Sequence, residues 1–419
     1  MNRPIYSLLL ALALPFVPLK LLWRGIKQPD YRQHWGERFG FYAAKVTKPV
    51  IWLHCVSVGE TRAAEPLIKA LQLQYPDYQI LLTHGTPTGR VTSETLFGNN
   101  VQRVYLPYDL PFAVNGFLKH FKPSIGLLME TELWFNLIAA CKQRKIPLLL
   151  VNARLSESST NAYAKLGKLI REGLQNLSVI ATQTADDAGR LQALGNTLSA
   201  KNISVVGNLK FDVKPPADAI DKGLQLRRLL GKNRPVFLAA STREGEETLI
   251  LDAVKNVDLL TIIVPRHPQR FDAVEAIIQN AGLPYVRRSQ LNEPLSKKVQ
   301  VVLGDSMGEL FTYYAACDFT FIGGSLLPLG GQNLIEAAAM GRPILIGEHT
   351  FNFADASNNA VTAGAAIRVK NSAELHDKLE YLLQNPSKQA EMRLAALQFN
   401  EASTGATIRL MQLITQYLH

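Results

Sequence analysis

The sequence predicts an α/β protein made of two doubly wound, Rossmann-like halves, and three observations carry that prediction. The 419 residues exceed the ~250–300 at which a single hydrophobic core stops growing. From residue 50 onward, short apolar runs without strict in–out alternation recur between helix-like stretches. Such runs are strands buried on both faces, as in a parallel sheet covered by helices. The pattern is interrupted once and then restarts. A hydrophobic content of 47% with 19% charged residues describes an ordered globular chain.

The first expected element is a membrane anchor, residues 1–25. Residues 4–19, PIYSLLLALALPFVPL, carry no charge, and Lys20, Trp23, Arg24 and Lys27 follow. A full span takes ~20 apolar residues, so a stretch broken by Pro15 and Pro18 is short for one. Cations after it suit a cytoplasmic side, with Trp23 at the interface. A buried core helix and a signal peptide are the competing readings. No small-residue cleavage site follows the apolar run, which argues against the second.

Residues 26–212 form the first Rossmann-like domain. Its strands are expected at VIWLHCV (50–56), QILLTHG (79–85), RVYLPYD (103–109), SIGLLME (124–130), IPLLLVNA (146–153), VIATQT (179–184) and ISVVGN (203–208). Pro215-Pro216 and a charge-rich stretch mark 213–234 as the interdomain linker. Residues 235–419 form the second domain, with strands at 235–241, 259–267, 300–305, 319–325 and 343–349 and a closing helical tail from about 373. Ligand sites of such domains lie at the carboxyl ends of the strands, facing the cleft between the halves.

Charge and thiol content narrow the class. Of the net charge of +10, residues 1–48 hold +6, from eight Lys/Arg against Asp30 and Glu37. A basic surface attracts anionic lipid, a phosphorylated substrate or nucleic acid. The cations do not form a run interleaved with aromatics and no nucleic-acid motif appears, so no nucleic-acid partner is expected. Cys55, Cys141 and Cys317 are odd in number and far apart, which excludes a disulfide framework or a cysteine zinc site and favours a reducing compartment.

Chemistry-bearing residues cluster where strands end. Ser57-x-x-Glu60 follows the first strand and reads as a capping box, with Glu60 reaching back to the Ser57 amide. A carboxylate at a helix N-terminus is also kept ionised by the macrodipole, the state that a general base needs. Both readings stay open. Glu130 and Glu132 of METELW end another strand and suit an acceptor or a cation, and Lys210 of GNLKFD can stabilise developing negative charge.

In the second half, Gly323-Gly324-Ser325 and Gly330-Gly331-Gln332-Asn333 precede LIEAAAMG. Glycines ahead of a helix let backbone amides face a phosphate, and Glu336 in the first turn suits sugar hydroxyls. Arg266 of VPRHP can clamp a phosphate. Met307-Gly308-Glu309 can offer backbone groups to a base. GxGxxG at the first turn, GxxxxGK[ST], DxD, HExxH, GxSxG and any histidine pair at metal spacing are absent. That leaves a metal-free, cofactor-free transferase by elimination.

In order along the chain stand SVGE, LPYDLP, METELW, NARLS, GNLKFD, VPRHP, GDSMGEL, GGSL, GGQNLIEAAA and HTFNF. Together they resemble the 3-deoxy-D-manno-octulosonic acid (Kdo) transferases of lipopolysaccharide synthesis in Gram-negative bacteria, over nearly the whole chain. The resemblance implies a GT-B fold with an N-terminal acceptor domain and a C-terminal donor domain. It implies transfer of Kdo, with inversion, from CMP-Kdo to the tetraacylated lipid A precursor at the cytoplasmic face of the inner membrane.

On the same ground Glu60 is the base, and Glu130 and Lys210 stabilise the transition state. CMP falls to Pro265, Arg266, Met307, Gly308, Glu309, Asn333, Leu334, Ile335 and Glu336. Members carry histidine after the double glycine, where this chain has Gln332. A non-hydrolysing nucleotide-sugar 2-epimerase of the same fold is the enzymatic alternative, and a membrane-tethered nucleotide-binding protein without catalysis is the other.

Overall fold

A computed structural model describes residues 1–195 and 202–418. The chain forms two compact units, one of Met1–Asp212 with the tail from Thr404, the other of Val213–Ser403.

The first unit is built on a parallel seven-stranded sheet, β1 (Val50–His54), β2 (Gln79–His84), β3 (Gln102–Tyr105), β4 (Ile125–Met129), β5 (Leu148–Ala153), β6 (Val179–Thr182) and β7 (Ile203–Val205), in the order β3-β2-β1-β4-β5-β6-β7. β1, β4 and β5 are buried along their full length, as strands covered on both faces must be. Trp52 fills the centre of one face, fully buried. Its ring lies so close to β4 that a Cβ at Gly126 would stand 2.6 Å from it, so only glycine fits there.

The second unit repeats the plan with β8 (Val236–Thr242), β9 (Leu260–Pro265), β10 (Tyr285–Arg287), β11 (Val301–Leu303), β12 (Phe319–Ile322), β13 (Ile344–Gly347) and β14 (Ala366–Val369), ordered β10-β11-β9-β8-β12-β13-β14. Each sheet reverses its direction of growth beside its first strand, between β1 and β4 and between β8 and β12. Those two switch points are where an open α/β sheet leaves a crevice.

Three boundaries depart from the sequence reading. The segment 213–234 is more than a linker, because it carries a helix, Ala219–Leu230, that is part of the second unit. The tail does not close the second unit. The helix Ala406–Thr415 returns to the first, where Leu410, Met411 and Ile414 pack with Ile51, Leu53 and Ile68. The expected single anchor helix is two helices, Arg3–Ala13 and Phe16–Lys27, bent by 56° at a break containing Pro15; no single helix among the described residues is long and apolar enough to cross a membrane.

The buried-core alternative for this segment fails, since the first helix buries no residue. Leu8, Leu12, Phe16, Leu19, Trp23 and Ile26 are all exposed. The polar side docks instead. The Tyr6 hydroxyl donates to Asp109 Oδ2 at 2.9 Å, Ser7 Oγ to Asn136 Oδ1 at 2.8 Å, and the Tyr6 ring meets Phe135 edge-on.

Asp109 also accepts the Asn136 and Leu137 amides at 2.9 and 2.8 Å. Asp109→Ala strands those donors, a loss of at least about 2 kcal/mol. A lower melting temperature of the first unit and faster trypsin cleavage at Lys20 and Arg24 are expected, with Asp109→Asn intermediate.

Candidate active site

In the first unit the chain leaves β1, turns at Val56 and enters a six-residue helix, Val58–Ala63. Ser57 caps it, accepting the Glu60 amide at 3.4 Å. The Glu60 carboxylate turns back, as a capping box should. It binds the Val56 amide at 2.8 Å and the Ser57 hydroxyl at 2.8 Å, so the main backbone donor is one residue earlier than expected. Glu60 is 8% exposed.

The helix N-terminus is not the dominant influence on Glu60. Burial is the largest influence on its pKa; with the nearby Glu130 charge it outweighs the hydrogen bonds from Ser57 and Val56, and the carboxyl is pushed up.

Glu130 follows β4 directly, in a left-handed conformation (φ 54°) that a non-glycine residue adopts only under constraint. Its Oε1 lies 3.8 Å from Lys210 Nζ. Lys210 rides on a short 3-10 turn, Leu209–Asp212, whose first amide donates at 3.0 Å to Asn152 Oδ1 at the end of β5. Glu132 completes the group. Burial first, then the negative charges of Glu60 and Glu130, raise its pKa to about 7. Glu60, Glu130, Glu132 and Lys210 are thus brought together at the carboxyl ends of the central strands.

The neighbouring histidines are poor bases. Burial drives the His54 pKa down to about 3 and the His84 pKa down to about 4.

In the second unit, Pro265 ends β9 and is buried, while Arg266 beyond it is exposed. The Arg266 amide donates to Thr242 O at 3.0 Å. A buried pair steadies this loop: Arg270 reaches both oxygens of Glu247 at 2.5 and 3.0 Å, and the Thr242 hydroxyl donates to the same carboxylate at 2.8 Å. Met307 is exposed, Gly308 has φ 79°, and Glu309 is held by Arg288 at 3.1 Å and by Ser306.

Asn333 caps the turn ahead, accepting the Ile335 amide at 3.1 Å and donating to Glu336 at 3.1 Å. Leu334 and Ile335 bury their side chains in the core, so only their backbone can face a ligand.

The first glycine pair does not offer its amides to a phosphate. Glu246, fully buried, takes the amides of Gly324, Ser325 and Leu326 at 2.5, 2.9 and 3.0 Å, and that of Arg243 at 3.0 Å. The Gly331 and Gln332 amides are spent on the carbonyls of Gly324 and Gly323. These glycines serve close approach instead, since a Cβ at Gly323 would stand 2.5 Å from the Ser241 carbonyl oxygen.

Arg243, Glu246 and Glu247 escaped the sequence reading. The signal available was STREGEE, a basic and acidic cluster straight after the first strand of the half.

The chain matches two family models: 3-deoxy-D-manno-octulosonic-acid transferase (kdotransferase) over residues 33–213, and glycosyl transferases group 1 over 251–399. A 3-deoxy-D-manno-octulosonic acid transferase of Bordetella pertussis is 40% identical, covering 100% of both chains. One of Haemophilus influenzae is 36% identical over 100% of this chain and 99% of its own. Among solved structures, a glycosyltransferase from Rickettsia africae aligns over 89% of this chain and 98% of its own, with TM-score 0.55 and 15% identity. A UDP-GlcNAc 2-epimerase from Neisseria meningitidis aligns over 88% and 100%, with TM-score 0.56 and 16% identity. These two likenesses show the fold alone, whereas the full-length identities show descent: the chain belongs to the 3-deoxy-D-manno-octulosonic acid transferase family of glycosyltransferases.

Proposed function

We propose that this Kdo transferase takes Kdo from CMP-Kdo and passes it, with inversion, to the 6′-hydroxyl of the tetraacylated lipid A precursor. Glu60 is the general base. The single observation that carries the reading is its carboxylate: held in place by Val56 and Ser57, buried, and made more basic by burial beside Glu130.

In the step, Glu60 takes the proton of the acceptor hydroxyl as its oxygen bonds to the anomeric carbon. The bond from that carbon to the phosphate oxygen breaks, and CMP leaves with the electron pair. Lys210, near Glu130, offsets charge where three carboxylates gather. Arg266, Pro265, the Met307–Glu309 turn and the Asn333–Glu336 segment are assigned to CMP. A departing monophosphate asks for less charge neutralisation than a diphosphate, and the sequence has no DxD pair, so the reading includes neither a metal nor a cofactor. The epimerase alternative rests only on a shared fold.

The same reading places the enzyme on the cytoplasmic face of the inner membrane. The exposed apolar residues of the two N-terminal helices enter the lipid surface, and Lys20, Arg24 and Lys27 meet anionic headgroups.

Transfer from CMP-Kdo to lipid A precursor, with mass spectrometry counting the sugars added, tests the whole. Glu60→Gln should cut turnover by about 10²–10⁴-fold while CMP-Kdo binding stays nearly intact; near-normal turnover returns Glu60 to a capping role. The pH profile gives a second test. Burial and like charges disfavour ionised Glu60, so activity falls as pH drops through its raised pKa. Glu130→Gln removes the neighbouring negative charge that helps to raise it, lowers that pKa, and moves the acid limb to lower pH. For the membrane, Leu12→Glu with Trp23→Glu should weaken sedimentation with anionic vesicles by about tenfold or more and leave the melting temperature unchanged.

A further inference from the structure

The switch point of the second sheet lies between β8 and β12, and there the two strand ends touch backbone to backbone through Gly323 and Ser241. Arg243 stands on this spot. Its position is fixed from both sides of the residue. Ser241, two positions earlier, takes a left-handed conformation (φ 58°), and the Arg243 amide donates to Glu246 Oε2 at 3.0 Å. Its side chain lies over Gly324, where a Cβ would stand 3.4 Å from Arg243 Cγ and 3.1 Å from Gln332 Nε2.

Arg243 is half-buried, yet among the described residues its guanidinium makes no hydrogen bond or ion pair. The nearby acids are committed elsewhere, Glu246 to four amides and Glu247 to Arg270. Keeping an arginine in a rigid turn without a carboxylate partner leaves five donors for an anion from outside.

We propose that Arg243 binds the carboxylate of the donor's ulosonate sugar and so sets this unit's preference for a CMP-ulosonate over CMP itself. The proposal rests on the CMP-Kdo reading given above. Kdo is a 2-ulosonic acid, so its carboxyl carbon and the phosphate ester oxygen are both attached to the anomeric carbon. Two anions therefore sit side by side in the donor. Arg243 and Arg266 follow β8 and β9, which pair in the sheet, and neighbouring strands stand about 4.8 Å apart. Cations at two adjacent strand ends match two anions on one carbon. Arg266 belongs to the CMP set, which leaves the carboxylate to Arg243, whose planar fork suits it bidentately.

The test is calorimetric binding of CMP and of CMP-Kdo to the full chain as wild type, Arg243→Gln and Arg243→Lys. Arg243→Gln should bind CMP almost as the wild type does, which also reports correct folding, and should lose about ten- to a hundredfold in affinity for CMP-Kdo. Arg243→Lys should recover part of that loss. Equal losses for both ligands would put Arg243 on the phosphate and overturn the assignment, as would an unchanged preference in Arg243→Gln. A wild-type chain that binds CMP but neither binds CMP-Kdo nor transfers from it defeats the donor reading itself, before any variant is compared.

Discussion

In both units the turn after the first strand is organised by a buried glutamate, and what that carboxylate binds decides what the turn can do. Strands of a parallel sheet end side by side, so the backbone groups just beyond them need partners that the ladder no longer supplies. In the second unit Glu246 supplies them in full, accepting four amides from two separate segments. An ionised carboxylate has about four lone-pair sites, so Glu246 is spent on structure. Glu60 occupies the equivalent place and receives one amide and one hydroxyl. It is placed as firmly and satisfied only in part. That difference separates a structural acid from one with capacity left to accept a proton.

The surroundings of Glu60 work in the same direction. Glu130 and Asn152 end adjacent strands, β4 and β5, and both are left-handed at φ 54°, an arrangement that costs about 1–3 kcal/mol at each residue. Neither strain is idle. Asn152 turns its side chain to bind the Leu209 amide, which sets the short turn that carries Lys210, and Lys210 in turn approaches Glu130. Strained backbone, amide clamp and lysine form one chain of positioning that brings a single cation to a group of three carboxylates. Burial there, with the negative charges of Glu60 and Glu130, raises the Glu132 pKa to about 7.

Much of this was legible in the chain because a parallel sheet writes its strands as local apolar runs. The strands missed were β10 and β14, which are edge strands, short and partly exposed, and therefore lack the continuous apolar signature. The residues around Glu60 were legible because a capping box is read within four positions. The glycine loop was misread for the opposite reason. Its amides are claimed by Glu246, 78 to 80 positions earlier in the chain, and no local pattern reports a partner at that distance. The return of Leu410 and Ile414 to the first core is equally invisible, because an amphipathic helix shows which face it buries but not against what.

The N-terminal helices invert the ordinary rule of burial, and the inversion has a mechanical consequence. At 11 and 12 residues each helix is about 17 Å long, well short of the ~30 Å hydrocarbon core. With the bend between them the pair suits a position along the lipid surface. Its polar side is already satisfied by protein, through Tyr6 and Ser7, while the apolar side is left exposed, and on the proposed reading lipid covers it. The acid that receives Tyr6, Asp109, also binds the amides of Asn136 and Leu137. Those residues open the helix Phe135–Gln143, three positions after Glu132. One buried carboxylate therefore ties the first helix to the loop that carries Glu130 and Glu132. On the proposed reading, the acceptor's acyl chains stay in the membrane while its sugar must reach Glu60. On that reading the hydrogen-bonded link sets the height of the carboxylates above the lipid, so the reach of the acceptor is set by the protein and not by the motion of a tether.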